Sequence, residues 1–180
     1  ASYCGDPVLQ RRVDEQVRPL RFRYAHHWSS LDEAVGEAVE QRDKYLAHSR
    51  RFEKVLDSCS LDMVHGHLMH LSAQHFLANT FWCGEPDSED DWFSVMEGTS
   101  LYHSTLDVEY NAAPWYLSVW PSLLRRQLMQ WAQLARPHEP SGGAIMPHDL
   151  GRGFEVGRTA YPHQMPVEEN SNFIDRKSTR

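Results

Sequence analysis

At 180 residues the chain is long enough to form one domain with a sizeable core. Its 18 basic and 25 acidic side chains give a net charge of −7, which argues against a nucleic-acid partner. No stretch stays apolar long enough to cross a bilayer, and the N-terminus lacks a charged-then-apolar signal. A membrane is therefore not expected as a partner, and a soluble protein is expected, with the cytoplasm as its favoured compartment.

Cys4, Cys59 and Cys83 show no short metal-type spacing, so neither a zinc ribbon nor a disulfide framework is indicated, and they read as free thiols. Six Trp, seven Tyr and seven Phe accompany eleven His, many of them between Phe81 and Tyr116. Aromatic rings suit the apolar faces of sugars, but large core side chains are their commoner use.

Residues 1–28 read as a lead-in or linker from a preceding domain, with a short extended piece at Arg21-Phe22-Arg23-Tyr24. Ser30 followed by Glu33 is a capping-box pattern. After it, Leu31, Ala34, Val35, Ala38 and Val39, then Tyr45, Leu46, Phe52, Val55 and Leu56, keep a helical period. One long helix is expected across 30–57. A second begins near Ser60, with Leu61, Val64, Leu68, Leu71, His75, Phe76 and Leu77 as its buried stripe. The short connection between them implies an antiparallel hairpin. His65, His67, His70 and His75 offer no i, i+4 pair, so they read as polar positions rather than metal ligands.

Glu85 to Asp91 is an acidic run containing Pro86, and reads as a solvated loop without the residue order of a calcium loop. Trp92 to Met96 is a short extended lead into Glu97. Residues 107–119 and 122–135 read as two helices split by Pro121, which suits a first helical turn. Residues 137–165 are rich in Gly and Pro, and a connection of that length is usually functional or disordered. A further helix starts at Pro166 with Glu168 and Glu169 in its first turn. The polar, basic residues 175–180 read as a tail foreign to the fold.

Three knots of titratable groups stand out: residues 97–107, 147–151 and 165–170. Glu97, after an apolar strand and before a glycine, is either a structural loop carboxylate or a nucleophile or general base at an aromatic wall. Thr105, Asp107 and Tyr110 could orient it or hold substrate hydroxyls. His148 and Asp149 could be a donor–acceptor pair for a polyhydroxylated ligand, or a loop anchor.

Taken together, Glu97-Gly98, Thr105, Asp107-Val108, the aromatic helix ending in Trp120-Pro121, and Pro147-His148-Asp149-Leu150-Gly151 resemble clan O glycoside hydrolases. These are the β-glucosidase and β-xylosidase families 116 and 52, and the likeness spans roughly residues 20–174. The resemblance implies an (α/α)6 barrel, Glu97 as catalytic nucleophile, and Asp107 and His148 contacting sugar hydroxyls. Retaining hydrolysis also needs an acid carboxyl about 5 Å from the nucleophile. In the family that acid is an aspartate well downstream of the position of Arg180, so the chain reads as a fragment, inactive alone, of an active parent. Asp107-Val108 with Tyr110 and Pro114, and Met165-Pro166-Val167-Glu168-Glu169-Asn170, are also similar to a glutaminase-like family on the same barrel.

The expectation is thus an all-α fold of antiparallel helical hairpins, about half of an (α/α)6 barrel, over residues 29–174. Its function would be retaining β-glycoside hydrolysis, with a glutaminase-like amidohydrolase or a non-catalytic helical interaction module as alternatives. Glu97 would be catalytic, and Thr105, Asp107, His148 and Asp149 would bind a carbohydrate or glycoside. No cofactor and no metal is called for. Such a half-barrel would expose apolar helix faces, so self-association is expected.

Overall fold

The computed structural model describes residues 3–58, 60–85, 91–163 and 165–178. Cys59, most of the acidic run after Glu85, and the last two residues lie outside them. The first strands form where apolar and charged residues alternate. β1 (Leu9–Val13) and β2 (Gln16–Phe22) make an antiparallel hairpin that sets Leu9 opposite Leu20, and both are buried. Asp14 makes the turn at φ 53°, a left-handed conformation that Asp tolerates.

β2 continues onto β3 (Thr80–Gly84), and β3 pairs antiparallel with β4 (Asp91–Val95). On its other edge β1 pairs in parallel with β8 (Glu155–Val156), which folds back on β7 (Gly151–Arg152). The result is one six-stranded sheet in the order β4-β3-β2-β1-β8-β7. Two glycines make its far edge possible. A Cβ on Gly151 would stand 2.3 Å from the Glu155 carbonyl oxygen, and one on Gly157 would stand 2.3 Å from that of Arg12. A separate two-stranded ribbon joins β5 (Arg136–His138) to β6 (Gly143–Ile145).

This sheet overturns the all-α expectation: the fold is mixed α/β. Its strands are two to seven residues long, and their pairing joins positions far apart in the chain. Periodicity registers neither property. Residues 1–28, expected as a linker, supply two central strands, and the Gly- and Pro-rich connection read over 137–165 holds most of four short ones.

The helices are closer to expectation. Ser30 caps α1 (Leu31–Glu40), its hydroxyl accepting from the Glu33 N–H at 3.2 Å, while the Glu33 carboxylate reaches back to Ser29 rather than Ser30. The single helix expected over 30–57 breaks at Gln41, after which α2 (Arg42–Asp57) begins. Asp62 caps α3 (Met63–Ala78). The stripe expected to be buried on these helices lies open: Val35 is 45%, Leu68 54% and Leu71 62% exposed. Of the expected residues Leu56 is buried, and Ala73, outside the stripe, is buried with it. An aromatic group, Phe52 and Phe76 against Trp115 and Trp120, joins the arm to the rest.

α4 (Leu106–Val119) and α5 (Pro121–Leu134) are split by Pro121 at the first helical position, and α6 (Pro166–Ser178) continues past Ile174 through part of the expected tail. The core gathers Phe93, Leu106, Tyr116, Trp131, Leu150 and Val156 with the β1–β2 leucines. Cys83 is buried among them, and burial, reinforced by Asp91, pushes its thiol up to about 12, so it is chemically quiet. No described helix is long and apolar enough to cross a membrane.

A polar thread runs through this core. The Trp92 indole N–H donates to Ser94 Oγ at 3.0 Å, which leaves the Ser94 hydroxyl to donate to His103 Nδ1 at 2.9 Å. His103 Nε2–H then donates to the Gly153 carbonyl at 2.8 Å. This order requires a neutral ring. Burial lowers the pKa of His103 below its ordinary 6.5, despite the opposing pull of the Gly153 carbonyl and the Asp149 charge. The folded chain therefore resists a proton that the unfolded chain accepts, so this contribution is full above about pH 6.5 and is lost on acidification below it. Urea denaturation at pH 7.5 and pH 5.0 should show a lower midpoint in acid. In His103→Gln that difference should shrink, and an unchanged difference would remove His103 as its source.

Candidate functional site

The site is assembled where the N-terminal ends of two helices meet one loop. Leu106, the first residue of α4, donates its N–H to the His148 carbonyl at 2.8 Å, tying the loop to that helix. Asn170 of α6 ties the same loop from the other side. Its Oδ1 accepts from the Met146 N–H at 2.9 Å, and its amide donates to the Ala144 carbonyl at 2.8 Å. α4 and α6 pack directly on each other.

These ties bring Asp107, His148 and Glu169 together. One donor atom from each lies within 4.8 Å of the other two. Asp107 stands in the first turn of α4 and Glu169 in the first turn of α6, where helix dipoles favour carboxylates. Asp107 Oδ1 accepts from the Val108 N–H at 2.9 Å. Glu169 is fully buried, and neither of its carboxylate oxygens has a hydrogen-bond partner. Burial first, and the Asp107 carboxylate second, push its pKa up to about 8, against the pull of His148.

His148 is held on several sides. Its Nδ1 lies 3.1 Å from Asp149 Oδ2, its ring stacks on Tyr161 at 4.2 Å between centroids, and Tyr102 meets it edge-on at 5.7 Å. Burial lowers its pKa, but Asp149, with Glu169 and Asp107 beyond it, outweighs burial and raises it overall.

Asp149 itself is wholly buried, and both its oxygens are engaged within the loop. Its Oδ1 accepts from the N–H groups of Gly151 at 2.9 Å and Ala160 at 2.8 Å. Its Oδ2 accepts from Tyr161 N–H at 3.0 Å and Thr159 Oγ1 at 3.2 Å, besides His148. These bonds make Asp149 an anchor of the loop.

Glu97 joins the cluster at one remove. Its N–H donates to the carbonyl of Tyr102, the residue whose ring touches His148 and Tyr161. Its Oε2 accepts from Ser100 Oγ at 2.8 Å, while its Oε1 is buried without a partner. Leu101 and Ser104, at φ 62° and 44°, bracket the Tyr102–His103 segment in left-handed conformations. Thr105 is buried at the start of α4, its hydroxyl neither capping the helix nor hydrogen-bonded.

Sequence reasoning missed the placement of Glu169 and the clamp made by Asn170. The one signal for Glu169 was its spacing from Phe173, which the exposed Val167 and Ile174 contradict. Glu169 and Phe173 are four residues apart on one helix, and Phe173 packs on the core, so the same face carries Glu169 inward. No protein-family model matches the chain, and no curated protein sequence matches it.

Proposed function

We propose that the chain carries a glycoside-hydrolysing site that grips a hydroxyl-rich sugar ring. One observation carries this reading: Asp107 and His148, distant in sequence, converge with Glu169 beside the rings of Tyr102 and Tyr161. Carboxylates and an imidazole supply acceptors and a donor for vicinal hydroxyls, and the tyrosine rings supply apolar faces for the ring's C–H side. Glu97 acts as the nucleophile in this reading, its carboxylate attacking the anomeric carbon. The bond from that carbon to the leaving oxygen breaks as the glycosyl–Glu97 ester forms, and water then releases the sugar.

A dinitrophenyl β-glucoside tests this directly, because dinitrophenolate departs without needing a proton. Turnover should fall at least tenfold in Glu97→Ala and return in part with added azide, which takes the place of the missing carboxylate. Turnover that is unaffected by Glu97→Ala would remove Glu97 from the chemistry.

A second reading has its own support. Glu169 enters the cluster from Met165–Asn170, the segment similar to a glutaminase-like family, and it meets Asp107, which that likeness also includes. Release of ammonia from glutamine, with aryl glycosides left intact, would select an amidohydrolase.

A further inference from the structure

We infer that Asp107, His148 and Glu169 form a binding site for one divalent metal cation of the Mn²⁺ or Zn²⁺ type. The donor set is the first ground. Two carboxylates and one imidazole, drawn from two helices and a loop, offer one ligand atom each within 4.8 Å of one another. Ligands about 2.1 Å from a shared ion stand roughly 3 to 4 Å apart, so small side-chain rotations complete the geometry.

The second ground is Glu169. A carboxyl group with no exposure and no hydrogen-bond partner on either oxygen lacks the partner that buried polar groups require. It is aimed into the same cluster, where a cation would supply that partner.

The third ground is the support behind the imidazole. His148 Nδ1 is engaged by Asp149 Oδ2, so in the neutral ring Nδ1 carries the hydrogen and Nε2 keeps its lone pair for a ligand bond. A carboxylate behind a ligating histidine is the arrangement that fixes tautomer and ring angle in metal sites. Here the carboxylate is itself held by the backbone N–H groups of Gly151, Ala160 and Tyr161, and the ring is stacked on Tyr161. The mixture of oxygen and nitrogen donors suits Mn²⁺ and Zn²⁺ better than Ca²⁺, which prefers an all-oxygen shell. Three protein ligands leave further positions open for water.

The metal proposal needs only the donor set, so its test uses no sugar and stands apart from the glycosidase reading. Calorimetric titration of the chelator-treated chain with MnCl₂ and with ZnCl₂ should give one saturable site for at least one of the two ions, with an affinity at least tenfold above that for CaCl₂. Glu169→Gln and Asp107→Asn keep the side-chain shapes and should each weaken that site at least tenfold. Glu168→Gln, one residue away and exposed, should leave it unchanged. Circular dichroism of each variant separates lost binding from lost fold, and metal added to the parent chain should raise its melting temperature. No saturable binding of either ion, or undiminished binding in folded Glu169→Gln, would overturn the proposal. The latter result would place the ion elsewhere, among the surface histidines.

Discussion

Asp149→Ala is expected to cost about 4 kcal/mol of folding stability, the largest loss from any single change at the site. The side chain is fully buried and accepts from three backbone N–H groups, the Thr159 hydroxyl and His148. Removing one partner of a buried hydrogen bond strands the other, at about 1–3 kcal/mol for each group that water cannot reach. Gly151 is buried, whereas Ala160 is exposed and Tyr161 half-buried, so the three stranded donors do not all reach the top of that range. Asp149→Asn keeps one acceptor oxygen and turns an amide towards the remaining donors, and should cost about half as much. Thr159→Val removes a single hydroxyl and should stay below about 1 kcal/mol. Urea denaturation of the three variants gives the ranking. A loss under 1 kcal/mol for Asp149→Ala would mean that the loop re-forms without its anchor.

Trp131→Ala should cost about 4 kcal/mol through a different mechanism, the cavity left by a large core side chain. Trp131 is fully buried, and its indole N–H donates to the Ser104 carbonyl at 3.0 Å. That bond has local importance because Ser104 sits at φ 44°, a conformation a serine adopts only when its surroundings hold it there. The Val95 N–H and the Gln127 amide also hold it, both donating to Ser104 Oγ. Trp131→Phe keeps most of the packing and loses the donor, so a cost of about 1–2 kcal/mol is expected. Thermal unfolding of the pair separates packing from the hydrogen bond. Equal losses would show that the bond to Ser104 carries the whole effect.

The helices were legible because each carries a local signature. Ser30 and Pro121 mark starts that the structure reproduces, α3 starts at Met63 rather than near Ser60, and α4 and α5 lie within one residue of their expected bounds. The sheet was not legible. β1 shows Arg11 and Arg12 where a strand buried on one face would be expected to show alternating apolar residues, and its second neighbour, β8, lies almost at the other end of the chain. No property of residues 9–13 points to residues 155 and 156.

The site was legible in part. Asp107 and His148 were named from their polar clusters as well as from a resemblance, and the structure brings them together. Asp149 was named with two possible roles, and its hydrogen bonds tie the loop together. Glu168 and Glu169 could not be separated by sequence, because the apolar residues of α6 give conflicting phases: Val167 is 82% and Ile174 65% exposed, whereas Phe173 packs inward. Only tertiary packing of α6 on α4 chooses Glu169.

The parallel pairing of β1 with β8 also sets an order of events during synthesis. A hairpin made of the first two strands can form as soon as residue 22 is available, but its outer edge stays unpaired until residues 155 and 156 arrive. The loop closed by that contact is long, and contacts of this kind form slowly because their entropy cost comes before their reward. Throughout that interval β1 is a bare strand edge, able to pair with the same edge of a neighbouring nascent chain. Recovery of folded protein should therefore depend on how crowded the chains are while they fold, more than on how stable they are afterwards.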